Sequence, residues 1–262
     1  MAIKQNQKVA KKNLSVFYDI SLQVEKETNI FYDEYNILSK TVDSVNSFNA
    51  LYKAGRTGVR GGPSTHDQQD LYRAMLIFAC AGLDVFVKQL VKNKIPQLIT
   101  ADKEAENKFK EYVKRGLKKD DKVILNTIAL ALIDSSPRDI FLNEYINSMT
   151  GESLQSVGEL CKVSEASGLD TKKIFSEVKK SMIRDAFEAR NQIIHEMDIN
   201  VGKSTSRTTG YRTRRQRVAT NMEKHTKSIL NLAEELFIAY KEKFQKYKIG
   251  VEKEKPIITK GS

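Results

Sequence analysis

The chain has 262 residues, a length typical of one large domain or two small ones. Its two cysteines, Cys80 and Cys161, are too few for a disulfide scaffold and favour a reducing, intracellular setting. Lysine and arginine number 44 against 33 aspartates and glutamates, and the net charge of +11 favours polyanionic partners, with nucleic acid first and an acidic membrane second.

The sequence carries no strong membrane signal. The N-terminal stretch MAIKQNQKVAKK has no apolar segment behind its charges, unlike a secretory signal. The longest apolar run, Ala74–Leu83, is far shorter than the about 20 residues that cross a bilayer. We therefore expect a cytoplasmic protein with no membrane partner.

Helical periodicity begins near the N-terminus. From Phe17 to Val45 one apolar position returns every seven residues, but the companion stripe is irregular and does not establish a strict coiled coil. The pattern predicts a long amphipathic helix over Leu14–Leu51. This helix either packs on its own domain or pairs between chains.

A glycine-rich segment interrupts the pattern. Ala54–Thr65 holds four glycines and one proline in twelve residues, which makes it the best candidate boundary in the chain. We assign residues 1–54 to an N-terminal helical region and 55–66 to a linker. The main domain is predicted at 67–248, followed by a flexible tail at 249–262.

Further helices follow the linker. Asp67 can cap a helix that runs to about Lys92 and closes before the Ile95–Pro96 pair. No stretch alternates polar and apolar residues long enough to demand a strand, so the fold class is predicted as all-α. The remaining helices are predicted at Asp102–Lys119 and Val123–Asp134 within an insert at about 102–168, from Asp170 or Thr171 to about Asp198, and at Val218–Lys248.

Common nucleophile and phosphate-binding motifs are missing, and no group of Cys, His and acidic residues has zinc spacing. The glycines between Gly55 and Gly62 resemble a phosphate loop in composition only. We expect neither a metal nor a cofactor.

The segment Phe187–Asp198 combines functional groups on one predicted helix. On a helical wheel, Arg190 falls near the centre of the apolar face, while Asn191, His195 and Asp198 lie together on the neighbouring polar face. An unpaired buried charge costs several kcal/mol. Arg190 therefore either pairs with an acid inside the fold or points into a subunit interface.

Asp84 is a second unusual residue. The surrounding helix is apolar around nearly its whole circumference, which predicts a central, buried helix. A buried carboxylate needs a donor. Arg190 or Asn191 could supply it from another helix, or an unrelated structural partner could do so.

The pattern Arg-Asn-x-x-x-His at Arg190–His195 resembles the signature of the HEPN superfamily (higher eukaryotes and prokaryotes nucleotide-binding). Together with YRAMLIFACAGLDVFVKQLV upstream, ARNQIIHEMD resembles the bacterial group named for ribonuclease L and PSP-type RNases. The spacing alone is weak evidence, because Arg60 and His66 in the glycine-rich loop also satisfy it. The resemblance covers roughly Asp67–Lys248.

The resemblance implies a HEPN-like helical bundle, here with an additional long N-terminal helix. Members are often homodimers or higher homo-oligomers, with two motifs facing across the dimer. Many are metal-independent endoribonucleases that act as toxins or phage-defence effectors, in some cases with a neutralising or sensor partner protein. The superfamily also holds inactive domains, so the alternative is a nucleotide- or partner-binding module without catalysis.

The residue types suit RNA cleavage by the substrate's own 2′-hydroxyl. This reaction needs a base, an acid and positive charge for the phosphorane. Histidine suits both proton roles and arginine suits the phosphorane oxygens, while Asn191 could orient the phosphate or the imidazole. Because one His195 cannot be acid and base at the same moment, a site built from two chains is predicted.

A basic segment lies just beyond the motif. Ile199–Met222 contains six cationic residues and no acid. A flexible cationic loop beside the catalytic helix could clamp an RNA strand, with Tyr211 stacking on a base. The alternative is a solvated loop that only sets net charge. The candidate RNA-binding residues are Lys203, Arg207, Tyr211, Arg212, Arg214, Arg215 and Arg217.

Overall fold

The computed structural model describes residues 17–19, 29–57, 64–119, 121–199 and 214–249, and helices dominate this part of the chain. One isolated antiparallel bridge joins Ile199 to Arg214, and the described residues form no strand. The prediction of an all-α fold is confirmed. After a 3₁₀ turn at Asn29–Phe31, the α-helices are α1 (Tyr32–Gly55), α2 (His66–Ala101), α3 (Lys103–Lys118), α4 (Lys122–Ile133), α5 (Pro137–Thr150), α6 (Val157–Ala166), α7 (Thr171–Ile174), α8 (Glu177–His195) and α9 (Ala219–Lys246).

Helix α2 lies at the centre of the fold and contacts α1, α3, α5, α8 and α9. Thr65 caps it: the Gln68 amide donates to Thr65 Oγ1 at 3.2 Å, and the Thr65 amide donates to Gln68 Oε1 at 3.1 Å. This reciprocal arrangement satisfies two backbone donors that an open helix end would leave free. The prediction of Asp67 as the cap was wrong, since Asp67 lies within the first turn.

Helix α2 continues through an internal proline, Pro96. The helix was predicted to close near Lys92, but it continues through Pro96 to Ala101. A proline in a helix interior costs about 3 kcal/mol. The helix buries Ile95 just before the proline and Leu98 and Ile99 beyond it, each worth about 1.5–3 kcal/mol, so burial outweighs the lost hydrogen bond.

One stripe of α2 faces outward. Phe78 and Val85 are 46% and 52% exposed, so the prediction of burial around nearly the whole circumference was wrong here. By length and composition α2 could span a membrane, yet half of its most apolar stretch is buried within the fold. That burial is compatible with a soluble protein, whose core helices have the same composition.

Helix α1 packs along α2 of its own chain. The two backbones approach closely at Gly82, where a Cβ atom would lie 2.2 Å from Thr41 Oγ1. The helix predicted from Leu14 begins only at Tyr32. Residues 17–19 are not helical: the amides of Phe17 and Tyr18 donate to Asn46 Oδ1 of α1 at 3.2 and 3.0 Å.

The helices predicted within the insert are present. Asp102 caps α3 and Asp121 caps α4 through their side chains. The helix predicted from Asp170 or Thr171 to Asp198 is instead two helices, because the chain breaks after α7 to bury Phe175. Residues 58–63 of the predicted linker and 250–262 of the predicted tail lie outside the described part of the chain, and the assigned domain limits remain predictions.

Candidate functional site

Helix α8 presents the Arg-Asn-x-x-x-His motif at its C-terminal end. Ser176 caps the other end, its hydroxyl accepting from the Lys179 amide at 3.4 Å. One face of α8 packs into the core against α2 and α9. This packing fixes the orientation of the last two turns, which carry the motif. The buried residues of the face are Ile183, Ala186, Phe187, Ala189 and Ile193.

Arg190 lies at the edge of that buried face and is half-buried. Its Nη1 donates to Asn191 Oδ1 at 2.9 Å. Burial raises the pKa of the Cys80 thiol on α2 to about 12, and the positive charge of Arg190 partly offsets this effect. Arg190 therefore lies beside α2. Within the described residues it forms no ion pair with an acid, so the first of its two predicted environments is not found there.

Asn191 and His195 are both exposed, one helical turn apart. His195 is the last residue of α8. Apolar side chains accompany them: Ile194 is 36% exposed and Met197 is 67% exposed. The motif thus combines a half-buried cation, an open imidazole and an exposed apolar surface.

Asp198 has a different environment from the one predicted. The sequence placed it beside Asn191 and His195, but α8 ends at His195, and Met197 and Asp198 adopt left-handed backbone angles (φ 51° and 55°). The reversal carries the Asp198 side chain inward, where it is fully buried. The Asp198 amide donates back to the Gln192 carbonyl at 2.9 Å.

Two guanidinium groups surround the Asp198 carboxylate. Arg73 Nε donates to Oδ2 at 2.6 Å, and Arg217 Nη2 donates to Oδ1 at 2.5 Å. Burial acts to raise the pKa of Asp198, but the hydrogen bonds and charges of Arg217 and Arg73 prevail and hold it below its usual value. Arg217 also donates to Gln192 Oε1 at 2.9 Å, which connects the pair to α8.

Further ion pairs hold Arg214 and Arg215, in the C-terminal part of the basic segment, against the rest of the fold. Asp70 accepts from Arg214 at 2.7 Å and from Arg73 at 3.0 Å, and Arg215 donates to Glu196 at 2.7 Å. Three of the predicted RNA-binding cations, Arg214, Arg215 and Arg217, are therefore engaged within the chain. The other candidates, Lys203, Arg207, Tyr211 and Arg212, lie outside the described residues.

Of the two alternatives for Asp84, a donor on α8 and an unrelated structural partner, the structure shows the second. Asp84 Oδ1 accepts from the Leu154 amide at 2.6 Å, and Oδ2 lies 3.0 Å from Lys88 Nζ. The carboxylate thus holds the loop between α5 and α6 against α2. Its solvent-facing partner Lys88, one turn away, removes the need for a donor from α8.

The sequence did not lead us to predict that Arg73 is the centre of a network of ion pairs and hydrogen bonds. Arg73 is 3% exposed and contacts Asp70, Asp198 and the Arg215 carbonyl. An arginine inside the apolar helix α2 was the available signal, by the same argument that singled out Arg190. In the part of the chain that the structure describes, no three Cys, His, Asp or Glu side chains are grouped to hold a metal ion.

An all-α bundle that presents Arg-Asn-x-x-x-His at the end of a core-packed helix has the features of the HEPN class. Residues 30–242 match the model of the family described as RiboL-PSP-HEPN, and the chain belongs to this family, whose fold is ribonuclease-like. The resemblance stated from the motif is confirmed. The match begins at residue 30, so it includes α1. No curated protein and no solved structure matches the chain.

Proposed function

We propose that the chain is a metal-independent endoribonuclease that cleaves RNA by attack of the 2′-hydroxyl, with Arg190, Asn191 and His195 at the interface of a homodimer. The observation that carries the proposal is the state of these three groups at the end of α8. The arginine is half-buried without an acid partner in the described residues, and the asparagine and histidine are open.

Each group has a defined role in this reaction. A neutral His195 takes the proton of the 2′-hydroxyl as its oxygen attacks phosphorus, and a protonated histidine returns a proton to the departing 5′-oxygen. The products are a 2′,3′-cyclic phosphate and a 5′-hydroxyl. Arg190 stabilises the added charge on the phosphorane oxygens, because its guanidinium stays charged and offers paired donors. The hydrogen bond from Arg190 to Asn191 supports a positioning role for the amide.

A second chain supplies the second histidine. One His195 per chain cannot donate and accept a proton in the same step. The exposed Ile194 and Met197 beside the motif are suited to burial in a contact between chains. Pairing of two α8 ends would bring both His195 side chains and both Arg190 side chains to one phosphate.

The basic segment is proposed to contribute to RNA binding. Arg214, Arg215 and Arg217 already neutralise Asp70, Glu196 and Asp198, so their contribution to phosphate binding is reduced. Lys203, Arg207 and Arg212 are therefore proposed to make most of the phosphate contacts, with Tyr211 stacking on a base.

The proposed setting is the cytoplasm, where the enzyme acts as a toxin or phage-defence effector, with a neutralising or sensor protein as a further partner. Membership of the HEPN family supports this setting, and the net charge of +11 supports RNA as the ligand.

The experiment is cleavage of total RNA by the purified protein, with and without EDTA, followed by analysis of the new ends. Cleavage that survives EDTA and leaves 2′,3′-cyclic phosphate or 3′-phosphate ends supports the proposal. Magnesium-dependent cleavage, 3′-hydroxyl ends or equal cleavage of 2′-deoxy substrates contradict the mechanism. Tight RNA binding without cleavage identifies the chain as a binding module.

A further inference from the structure

Helix α4 turns an apolar face to solvent. Leu132 and Ile133 are 81% and 85% exposed, and three other large apolar side chains of this twelve-residue helix are about half exposed. Several large apolar side chains exposed on one helix of a monomer mark an interaction site. We define the α4 face as Val123, Leu125, Ala129, Leu130, Leu132 and Ile133.

The opposite side of α4 is firmly attached to the fold. Ile124, Thr127 and Ala131 are buried against α3 and α5. At Gly116 of α3, a Cβ atom would lie 2.3 Å from Ile124 Cγ1, so the two helices are in close contact. The α4 face is therefore held in place and remains uncovered within the described part of the chain.

The two ends of α4 differ in charge. Lys118, Lys119 and Lys122 are exposed at its N-terminal end, and Asp134 and Asp139 are exposed at its C-terminal end. None of the five forms an ion pair within the described residues. Asp121 at the first end and Arg138 at the second keep their charges: Asp121 accepts from the Val123 amide at 2.9 Å, Arg138 donates to Thr100 Oγ1 at 3.1 Å, and Asp134 accepts from the Ser136 amide at 2.7 Å. Among the described residues the N-terminal end is still net positive and the C-terminal end net negative.

We propose that the α4 face binds the α4 face of a second copy of this chain, with the two helices antiparallel about a two-fold axis near Ile128. This arrangement covers the exposed apolar side chains of each copy with the apolar face of the other, and Val123 lies at the level of the partner's Ile133. It also places Lys122 opposite the partner's Asp134, and symmetry repeats this contact at the other end. Parallel helices would instead place lysine against lysine and aspartate against aspartate.

An anionic membrane fits the face less well. The two most exposed side chains, Leu132 and Ile133, adjoin Asp134, which anionic headgroups would repel. The α4 pairing is separate from the proposed α8 site and does not depend on it. If the two contacts join a chain to two different partners, the assembly is a tetramer or larger.

Light scattering of the full chain with Leu132→Glu and Ile133→Glu tests the pairing. Because both side chains are almost fully exposed, the variant keeps its helix content and melting temperature. We expect the pair's dissociation constant to rise at least about 30-fold, so that the mass falls by half at a concentration where the wild type is paired. Val178→Glu, at a 72% exposed position on α8, is the matched control and should leave the mass unchanged.

Charge exchange tests the antiparallel orientation. Lys122→Glu and Asp134→Lys should each weaken the pair, and the double variant should restore it, because each new lysine again faces a glutamate. Absence of rescue overturns the antiparallel arrangement.

Cysteine cross-linking in a Cys161→Ser background provides a second measure of orientation. Ala129→Cys, near the two-fold axis, should form a disulfide-linked dimer on mild oxidation. Val123→Cys should not, since antiparallel copies of residue 123 lie roughly 15 Å apart along the axis, beyond disulfide reach. Parallel helices would cross-link at both positions, which overturns the proposal.

Two other results overturn the α4 pairing. One is a wild-type mass that the Leu132→Glu, Ile133→Glu variant does not change. The other is that the protein floats with phosphatidylserine–phosphatidylcholine vesicles, that the Leu132→Glu, Ile133→Glu variant does not, and that the wild type shows no self-association through α4. The α8 contact is followed separately with Ile194→Glu, whose effect on mass does not alter the result for α4.

Discussion

The C-terminal end of α8 and the turn that follows it both involve arginine side chains, but the charges of these arginines have different surroundings. In the first, Arg190 is half-buried without an acid partner in the described residues, and His195 is open to solvent. In the second, the guanidinium groups of Arg73 and Arg217 surround the fully buried Asp198. A charge that its own chain satisfies stabilises the fold, whereas a charge left unsatisfied beside an open histidine is available for a ligand.

The largest expected effect is a loss of RNA cleavage when His195, at the end of α8, is replaced. His195→Ala should lower RNA cleavage by about 10²–10⁴-fold, since it removes general acid and base catalysis, and should leave the unfolding free energy almost unchanged. Initial cleavage rates and urea denaturation measure the two quantities. His66→Ala, which removes an exposed histidine from the start of α2, is the control. Full activity in His195→Ala would remove the histidine from the mechanism.

Asp198→Asn should have the opposite profile. Removing the carboxylate leaves Arg73 and Arg217 without their shared counter-charge, and breaking a buried pair typically costs about 3–5 kcal/mol. Urea denaturation at pH 7 measures the loss. Asp43→Asn, at an exposed position on α1, should change stability by no more than about 0.5 kcal/mol. A loss below 1 kcal/mol for Asp198→Asn would show that the network is not a major source of stability.

The same carboxylate predicts a dependence on pH. Because the pKa of Asp198 is held below its ordinary value of about 3.9, its stabilising contribution is complete above that pH and is lost as pH falls through the lower, folded-state pKa. The stability gap between wild type and Asp198→Asn should therefore be constant from pH 5 to 7 and narrow below about pH 4. A gap that widens in acid would contradict this assignment.

The smallest expected effect concerns the composite site. When subunits exchange, mixing wild type with His195→Ala should lower activity roughly as the square of the wild-type fraction, because each site needs a histidine from both chains. Mixing with the His66→Ala chain should leave activity unchanged. A linear decline with confirmed exchange, or full activity in a demonstrated monomer, would require a second proton-transfer group within one chain.

Helical periodicity predicted most of the fold, since burial of one face per helix follows directly from residue spacing. The errors lie where tertiary contacts override local signals. Pro96 should end α2, but burial of the residues beyond it maintains the helix. The N-terminal helix was predicted to begin at Leu14. Residues 17 and 18 are instead non-helical, and their amides donate to the side chain of Asn46.

The candidate site shows the same division. The relative positions of Arg190, Asn191 and His195 could be predicted from helical periodicity, because all three lie on one continuous helix. Asp198 could not, since no sequence pattern marks the left-handed turn at Met197 that carries it away from the helix. Nor could the Asp84 bond to the Leu154 amide, which joins residues 70 positions apart.

The bridge between Ile199 and Arg214 has a consequence for how the protein can diversify. Because these residues are paired, the two ends of the segment between them, residues 200–213, are held at one point of the described fold. Doubling the length of a flexible segment between two fixed ends costs only about 0.6 kcal/mol of closure entropy. Segments of other lengths between Ile199 and Arg214 are therefore compatible with the same arrangement of α8 and α9. Under the proposed function, such exchanges would change which RNA is bound without changing the residues proposed for cleavage.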